Sequence, residues 1–380
     1  MFKKTLAAAA ILGAFAGSAF AADVTLYGVV DEGLLYKHTD TDQANVDATD
    51  SFSLNSGIQA GSRFGLKGNE DLGNGLKVGF ILENGFNADD GTFGSSGTLF
   101  NREASLSLSG AFGQVSFGKI GAITQGTSSW GKVGAVSAFG TSYGAAQVGN
   151  ATNLFSATVG VMNNTVAYQT PSFAGFKVYA QYSMGVDATG TENESSADRY
   201  YALGATYQNG PVDLYFAVDS VNYASWVGSA AKDVDDSLTV AFGGSYNFNV
   251  VKVFAGAQYF DEVQVKTVGG LKNFAFADAN ANAKMKGYAL QASVSAPVAG
   301  GTAYFGGGWV DASEADSVVK GNEFDVSYWV ASAGYKYDLS KRTNVYGVVS
   351  YGQGDLDPAG ANNEVKPSIS AVAVGLRHNF

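Results

Sequence analysis

Gly140-Thr141-Ser142-Tyr143-Gly144 has the G-x-S-x-G spacing that presents a serine for acyl transfer. That chemistry needs a strand before the serine, a helix after it, and an acid and a histidine within reach. Neither flank has such a pattern, and a chain with 50 glycines is expected to produce the spacing by chance. The two histidines, His38 and His378, lie near opposite chain ends and read as rim residues rather than a catalytic or metal pair. The aspartates of TDTDQANVDATD (39–50) are spaced loosely like a calcium loop but lack its glycine and closing glutamate, so they read as a solvated acidic loop. There is no cysteine, hence no thiolate metal site and no disulfide framework. The residues therefore point away from an enzyme, and to no cofactor or metal.

Fixed charge set against apolar side chains is the more informative pattern. In SRFGLKGNEDLGNGLKVGFILENGFN (62–87), Phe64 and Leu66 share one face of a strand while Arg63 and Lys67 share the other. After the turn at 71–75, Val78, Phe80 and Leu82 alternate with Lys77, Gly79, Ile81 and Glu83. A soluble sheet shows its polar face to solvent, whereas a membrane barrel puts the apolar face outside and the polar face inside. The chemistry this offers is electrostatic: charges lining a path rather than a reaction centre.

The elements that carry these charges are short and alternating. Sixteen period-2 segments recur, at about 24–38, 55–69, 76–86, 100–108, 114–120, 164–170, 176–184, 198–208, 212–223, 237–248, 251–260, 286–296, 302–311, 323–337, 343–352 and 368–380. Short connections (71–75, 109–113, 171–175, 209–211, 247–250, 297–301, 338–342) alternate with long, polar ones, of which 121–163 is the longest. Such a rhythm puts all short turns at one end of an up-and-down antiparallel sheet, as in transmembrane barrels with short periplasmic turns and long extracellular loops. An even strand number lets the sheet close and leaves no backbone group unpaired in hydrocarbon. Sixteen strands are wide enough for a water-filled lumen. The predicted fold is an all-β, sixteen-stranded antiparallel transmembrane β-barrel formed as one domain over residues 22–380.

Residues 1–21 read as a cleaved secretory signal: Lys3 and Lys4, an apolar stretch from Leu6 to Gly17, then Ala19-Phe20-Ala21. Removing it leaves 380 − 21 = 359 residues and 23 − 2 = 21 basic against 34 acidic side chains, a net charge of −13. That acidity argues against a nucleic-acid partner, which needs clustered Lys and Arg.

Five stretches carry a resemblance: VTLYGVVDEGL (24–34), SRFGLKGNEDLGNGLKVGF (62–80), FNREASLSLSGAFGQVSFGK (100–119), NTVAYQTPSFAGFKV (164–178) and VGLRHNF (374–380). In this order the chain resembles the general trimeric porins of Gram-negative bacteria, in particular those of beta-proteobacteria. The resemblance spans the expected mature chain. It implies an outer membrane homotrimer in contact with lipid and lipopolysaccharide, passive diffusion of small hydrophilic solutes and ions, and a third long loop, here about 121–163, folded into the lumen as a constriction. It also implies that the terminal Phe380 is read by the barrel-assembly machinery. Family members commonly carry acidic groups on that loop, opposite wall arginines and lysines. This chain departs from that pattern, with no Asp or Glu from Ala104 to Val186.

The expected pore-lining set is Arg63, Arg102, Lys119 and Lys132, with Glu83 of inward parity. Strict alternation puts Lys119 with Val115 and Phe117, and Arg102 with Leu106 and Leu108, so Arg102 needs a bulge or a rim position. With Lys132 on an acid-free loop, Arg63 and Arg102 are expected to meet no acidic partner there and to favour anions weakly, with Glu83, Asp213 and Asp219 able to offset them. A substrate-specific channel is the alternative. It calls for an aromatic ladder, for which Tyr179, Tyr215 and Tyr304 are scattered over distant strands.

Overall fold

The computed structural model describes residues 24–187, 190–224, 226–227, 230–231, 235–270, 283–315, 325–357 and 364–380. The signal expected at 1–21 lies outside the described residues. Sixteen strands form one antiparallel sheet in chain order. They are β1 (Thr25–Asp40), β2 in two halves (Thr49–Ser56 and Arg63–Gly73), β3 (Leu76–Gly85), β4 (Glu103–Gly110), β5 (Gly113–Gly121), β6 (Val161–Gln169), β7 (Phe176–Ser183) and β8 (Arg199–Asn209). They continue as β9 (Val212–Asn222), β10 (Leu238–Asn247), β11 (Lys252–Gln264), β12 (Lys284–Val298), β13 (Gly301–Glu314), β14 (Asp325–Asp338), β15 (Thr343–Asp357) and β16 (Ser368–Asn379). The sheet closes on itself: β16 pairs with β1 from Val29↔Asn379 to Asp40↔Ser368. Closure satisfies every strand edge within the barrel, which hydrocarbon demands. Among the described residues the only α-helix is the single turn α1 (Ala151–Leu154).

Alternation decides the two faces. Leu214, Phe216, Phe242, Phe305 and Val374 are exposed on the outside, while Tyr215, Ala217 and Asp219 of the same strand β9 are buried inside. Two aromatic rows bound the outer apolar band. Phe176 stacks near Tyr207 at 4.4 Å and Tyr246 near Phe248 at 4.5 Å toward the short-turn end; Tyr182 meets Tyr201 at 5.0 Å and Trp329 meets Tyr351 at 5.4 Å toward the long-loop end. Trp329 and Tyr337 lie on one face of β14, eight residues or about 27 Å apart along the strand. That spacing suits the ~25 Å apolar band of an outer-membrane barrel.

Two local departures from plain alternation matter for the lumen. The expected continuous segment 55–69 is broken: residues 57–62 leave the ladder of β2 and bulge inward. Gly57 at their start has a φ of 74°, and Asp31 holds them from β1. Its carboxylate accepts the Ala60 N–H at 2.5 Å and the Tyr346 hydroxyl at 2.6 Å, and its own N–H donates to Ser62 Oγ at 3.1 Å. Ile58, at the tip, is fully buried against Leu35 and Phe139. The second departure is the β5–β6 pairing, which shifts register between Gly118 and Ile120 before the chain enters the longest connection.

Candidate functional site

The connection from 122 to 160 runs across the barrel interior and is held there by wall side chains. Most of these donate to, or accept from, its backbone. The Ile123 N–H donates to Gln181 Oε1 (2.8 Å), while Gln181 Nε2 donates to the Gly121 carbonyl (3.0 Å). Gln258 makes the same reciprocal pair with Ser156, at 2.6 and 2.8 Å. The N–H groups of Ser129, Ala138 and Gly149 donate to Glu103, Ser293 and Ser332 at 2.8, 2.9 and 3.0 Å. Ser350 donates to the Ala146 carbonyl. A loop buried inside a barrel needs such partners, because an unpaired buried amide costs about 1–3 kcal/mol. Sequence alternation leaves Ser, Gln and Glu on the inner face of these strands for that purpose.

Apolar contact adds to the hydrogen bonds. Trp130, Val133, Val136, Leu154 and Phe155 are buried against the wall together with Tyr179, Tyr215 and Ala241. Glycine at 256 makes the approach possible, since a Cβ there would sit 2.8 Å from Val136 Cβ and 3.1 Å from Phe155 Cζ. Two of the rings that a substrate-specific channel would align are covered instead: Tyr179 meets Trp130 edge-on at 6.4 Å and Tyr215 is buried, while Tyr304 meets Phe139 at 5.7 Å and stays half-buried. Asp219 anchors the loop stem. It is fully buried and accepts hydroxyls from Thr124 and Thr239 at 2.6 Å each and from Tyr200 at 3.0 Å.

On the other side of the lumen an open, polar cavity of about 610 Å³ remains between the 57–62 bulge, the loop and the wall. Arg63, Arg102, Lys266 and Arg377 line it, with no carboxylate in the lining. Arg102 stands just before β4, a rim position that frees it from the outward parity of Leu106 and Leu108. Its Nε donates to Glu83 Oε1 at 2.7 Å, and Arg63 Nε lies 3.5 Å from Glu83 Oε2. Tyr27 donates its hydroxyl to the same carboxylate at 3.0 Å. Arg63 also reaches back to the Gly61 carbonyl at 2.9 Å. The arginines do meet an acidic partner, but it comes from β3, not from the acid-free loop.

Arg63, Arg102 and Glu83 thus come together. Lys119 and Lys132 do not join them. Lys119 donates to Asn163 Oδ1 at 2.8 Å across the β5–β6 pair, as its parity with Phe117 requires. Lys132 turns from the cavity to the wall, donating to the Ser129 carbonyl at 2.8 Å with its ammonium 5.7 Å from the Tyr179 ring centre. Burial there, with Lys177 nearby, pushes its ammonium below the usual lysine range. Sequence reasoning passed over Lys266, Arg377 and Glu103. Arg377 shares the polar parity of Asn379 on the last strand, and Glu103 that of Ser105 and Ser107, so both positions were readable. Lys266 sits on a long loop whose path no local pattern sets. Phe380 closes the barrel seam: its N–H donates to the Gly28 carbonyl and its carbonyl accepts from the Gly28 N–H, both at 3.1 Å.

The comparisons with known proteins agree with this geometry. A family model described as Gram-negative porin matches residues 7–357. The chain is 35% identical to an outer membrane porin protein of Bordetella pertussis over 100% of both chains, and 32% identical to the outer membrane porin protein 32 of Delftia acidovorans, again over 100% of both. Among solved structures it is similar to an anion-selective porin from Comamonas acidovorans. The TM-score is 0.70 and the identity 27%, covering 95% of this chain and 100% of that one. With the closed sixteen-stranded barrel and its polar lumen, these likenesses establish that the chain belongs to the Gram-negative porins, outer membrane proteins that let small hydrophilic solutes diffuse through a water-filled channel.

Proposed function

We propose that this porin favours anions and that residues 121–163 set its narrowest passage. One observation carries the reading: the cavity between loop and wall is lined by Arg63, Arg102, Lys266 and Arg377 and by no carboxylate. An ion in a constriction cannot avoid the charges lining it, so they govern which ions pass. The acidic groups nearby stand behind the guanidinium groups. Asp31, Glu83 and Glu103 are only 0, 8 and 2% exposed. The anion selectivity named for the porin of Comamonas acidovorans supports the same direction. In a planar bilayer with a KCl gradient, the reversal potential should have the sign of chloride permeation. A cation-selective channel would reject the reading.

Passive transport without catalysis fits the remaining residues. Ser142 of the G-x-S-x-G match lines the cavity, while His38 contacts Asp50 at 2.9 Å and His378 contacts Thr343 at 2.9 Å. The homotrimer belongs to the same proposal. Its contact face would be part of the apolar outer wall, where Leu34, Val372 and Val374 are exposed beside the β1–β16 seam. The rest of the outer face meets lipid and lipopolysaccharide, and Phe380 serves recognition by the barrel-assembly machinery after export by a cleaved signal.

A further inference from the structure

A second polar cavity, of about 730 Å³, lies on the short-turn side of the loop, the side that faces the periplasm in outer-membrane barrels. Four basic side chains line it: Lys336 on β14, Lys341 and Arg342 on the turn between β14 and β15, and Arg377 on β16. The single acidic residue in its lining is Asp338, 3.2 Å from Lys336. The lining therefore carries 4 − 1 = 3 net positive charges. Lys341, Arg342 and Arg377 make no ion pair with a carboxylate among the described residues. The turn that carries two of them is itself fixed. Ser340 Oγ accepts the Arg342 and Thr343 N–H groups at 3.2 and 3.1 Å. Buried rings, Phe139 and Tyr143 of the loop, form the opposite wall, with Tyr304 beside them.

Gln59, Ser142 and Arg377 line both cavities, so an anion leaving the narrow passage reaches this one without crossing an acidic surface. We infer that the cavity is a second anion site on the transport path, selective for small anions with two negative charges, such as inorganic phosphate or a short dicarboxylate. Two basic poles make a dianion the fitting ligand. Arg377, which donates to Asn379 Oδ1 at 3.1 Å and acts on the Asp31 carboxylate, is half-buried and lines both cavities, and Lys341 and Arg342 stand exposed on the turn. A monoanion can satisfy one pole only. The site goes beyond the anion preference proposed for the narrow passage, though it rests on that reading for the supply of anions.

The test uses the folded channel in detergent and in planar bilayers. Calorimetric titration with inorganic phosphate at pH 8, with succinate, and with butyrate as the monoanion control measures binding. The same phosphate and succinate are then added to each side of the bilayer in turn to measure block of the chloride current. Wild type should bind phosphate or succinate, whichever the geometry fits better, and butyrate more weakly. The double variant Lys341→Ala with Arg342→Ala alters only an exposed turn and should lower dianion affinity by about tenfold. Its chloride-to-potassium permeability ratio, set in the narrow passage, should move less than about twofold. Conversion of the turn to Lys341→Gln with Arg342→Gln should give the same loss with hydrogen-bonding capacity retained. Unchanged dianion binding in both variants, or wild-type binding no tighter than that of butyrate, overturns the site. A cation-selective wild type that still binds dianions would instead overturn the anion preference of the passage and leave this site standing.

Discussion

Exchanging the charges around Glu83 offers the sharpest test of how the lumen selects ions. Glu83 takes Arg102 at 2.7 Å and Arg63 at 3.5 Å. Replacing both arginines by alanine removes two positive charges from the cavity lining and leaves Glu83 without its cationic partners. At about 5 Å in water a unit charge shifts an ion's energy by about 0.8 kcal/mol, a factor of about four in its local population. The same charge depletes potassium by the factor that it enriches chloride, so their ratio changes about sixteenfold per charge; losing two should lower the chloride-to-potassium permeability ratio by about two orders of magnitude, and the released carboxylate pushes it further in the same direction. Glu83→Gln alone should do the reverse and raise the ratio by about an order of magnitude. Opposite shifts from the two variants separate a charge effect from a mere change of width, because arginine truncation widens the passage whereas the glutamine keeps its size. Reversal potentials across a KCl gradient, at low and at high ionic strength, supply the ratios. Both shifts should shrink in concentrated salt, where the screening length falls to about 3 Å at 1 M. If both variants shift selectivity the same way, or neither does, the assignment of these residues to the selecting passage is wrong.

Asp219→Ala should loosen the stem of the long loop, since it leaves the Thr124, Thr239 and Tyr200 hydroxyls without their acceptor; we expect a loss of about 2–4 kcal/mol in urea unfolding and noisier open-channel current. Gly256→Leu should drive Val136 and Phe155 off the wall and change single-channel conductance while the barrel still folds, as judged by its faster gel migration before boiling. Phe380→Asp should reduce folded protein in the outer membrane; wild-type accumulation would show that assembly does not read this residue.

Much of this architecture was legible because a membrane barrel enforces period 2 with unusual severity. A lipid-facing residue such as Phe242 or Leu376 cannot trade places with its neighbour, so each strand reveals its own faces. Turn lengths then gave the up-and-down order. The broken strand β2 was not legible, because Ser56-Gly57-Ile58-Gln59 continues the alternation until the chain leaves the sheet. Only the flanking Gly57 and Gly61 hint at it. Site residues were harder for a related reason. Parity tells whether a side chain faces the lumen but not whether a loop covers it there. Arg63 and Lys132 both read as pore charges, yet Arg63 lines the open cavity while Lys132 packs toward Tyr179. Lys266 arrives from a loop distant in sequence, and its place depends on where 265–267 touches the long connection, as in the Ala157 N–H to Thr267 carbonyl contact at 3.3 Å.

An acidic protein with a basic passage is a matter of exposure rather than of count. The expected mature chain carries 34 carboxylates against 21 basic side chains, yet an ion in transit responds to what lies within about 8 Å at physiological ionic strength. No carboxylate lines the cavity itself. Those close to the passage are spent on structure: Asp31 holds the 57–62 bulge, Glu103 caps the loop through Ser129 at 2.8 Å, and Glu83 is covered by two arginines and Tyr27. Each turns its negative charge toward donors in the protein and away from the water column. Guanidinium groups are long enough to satisfy such a carboxylate with one edge and present the other to solvent. The pairing that neutralises charge on paper therefore leaves a directional field, positive on the side the ions see.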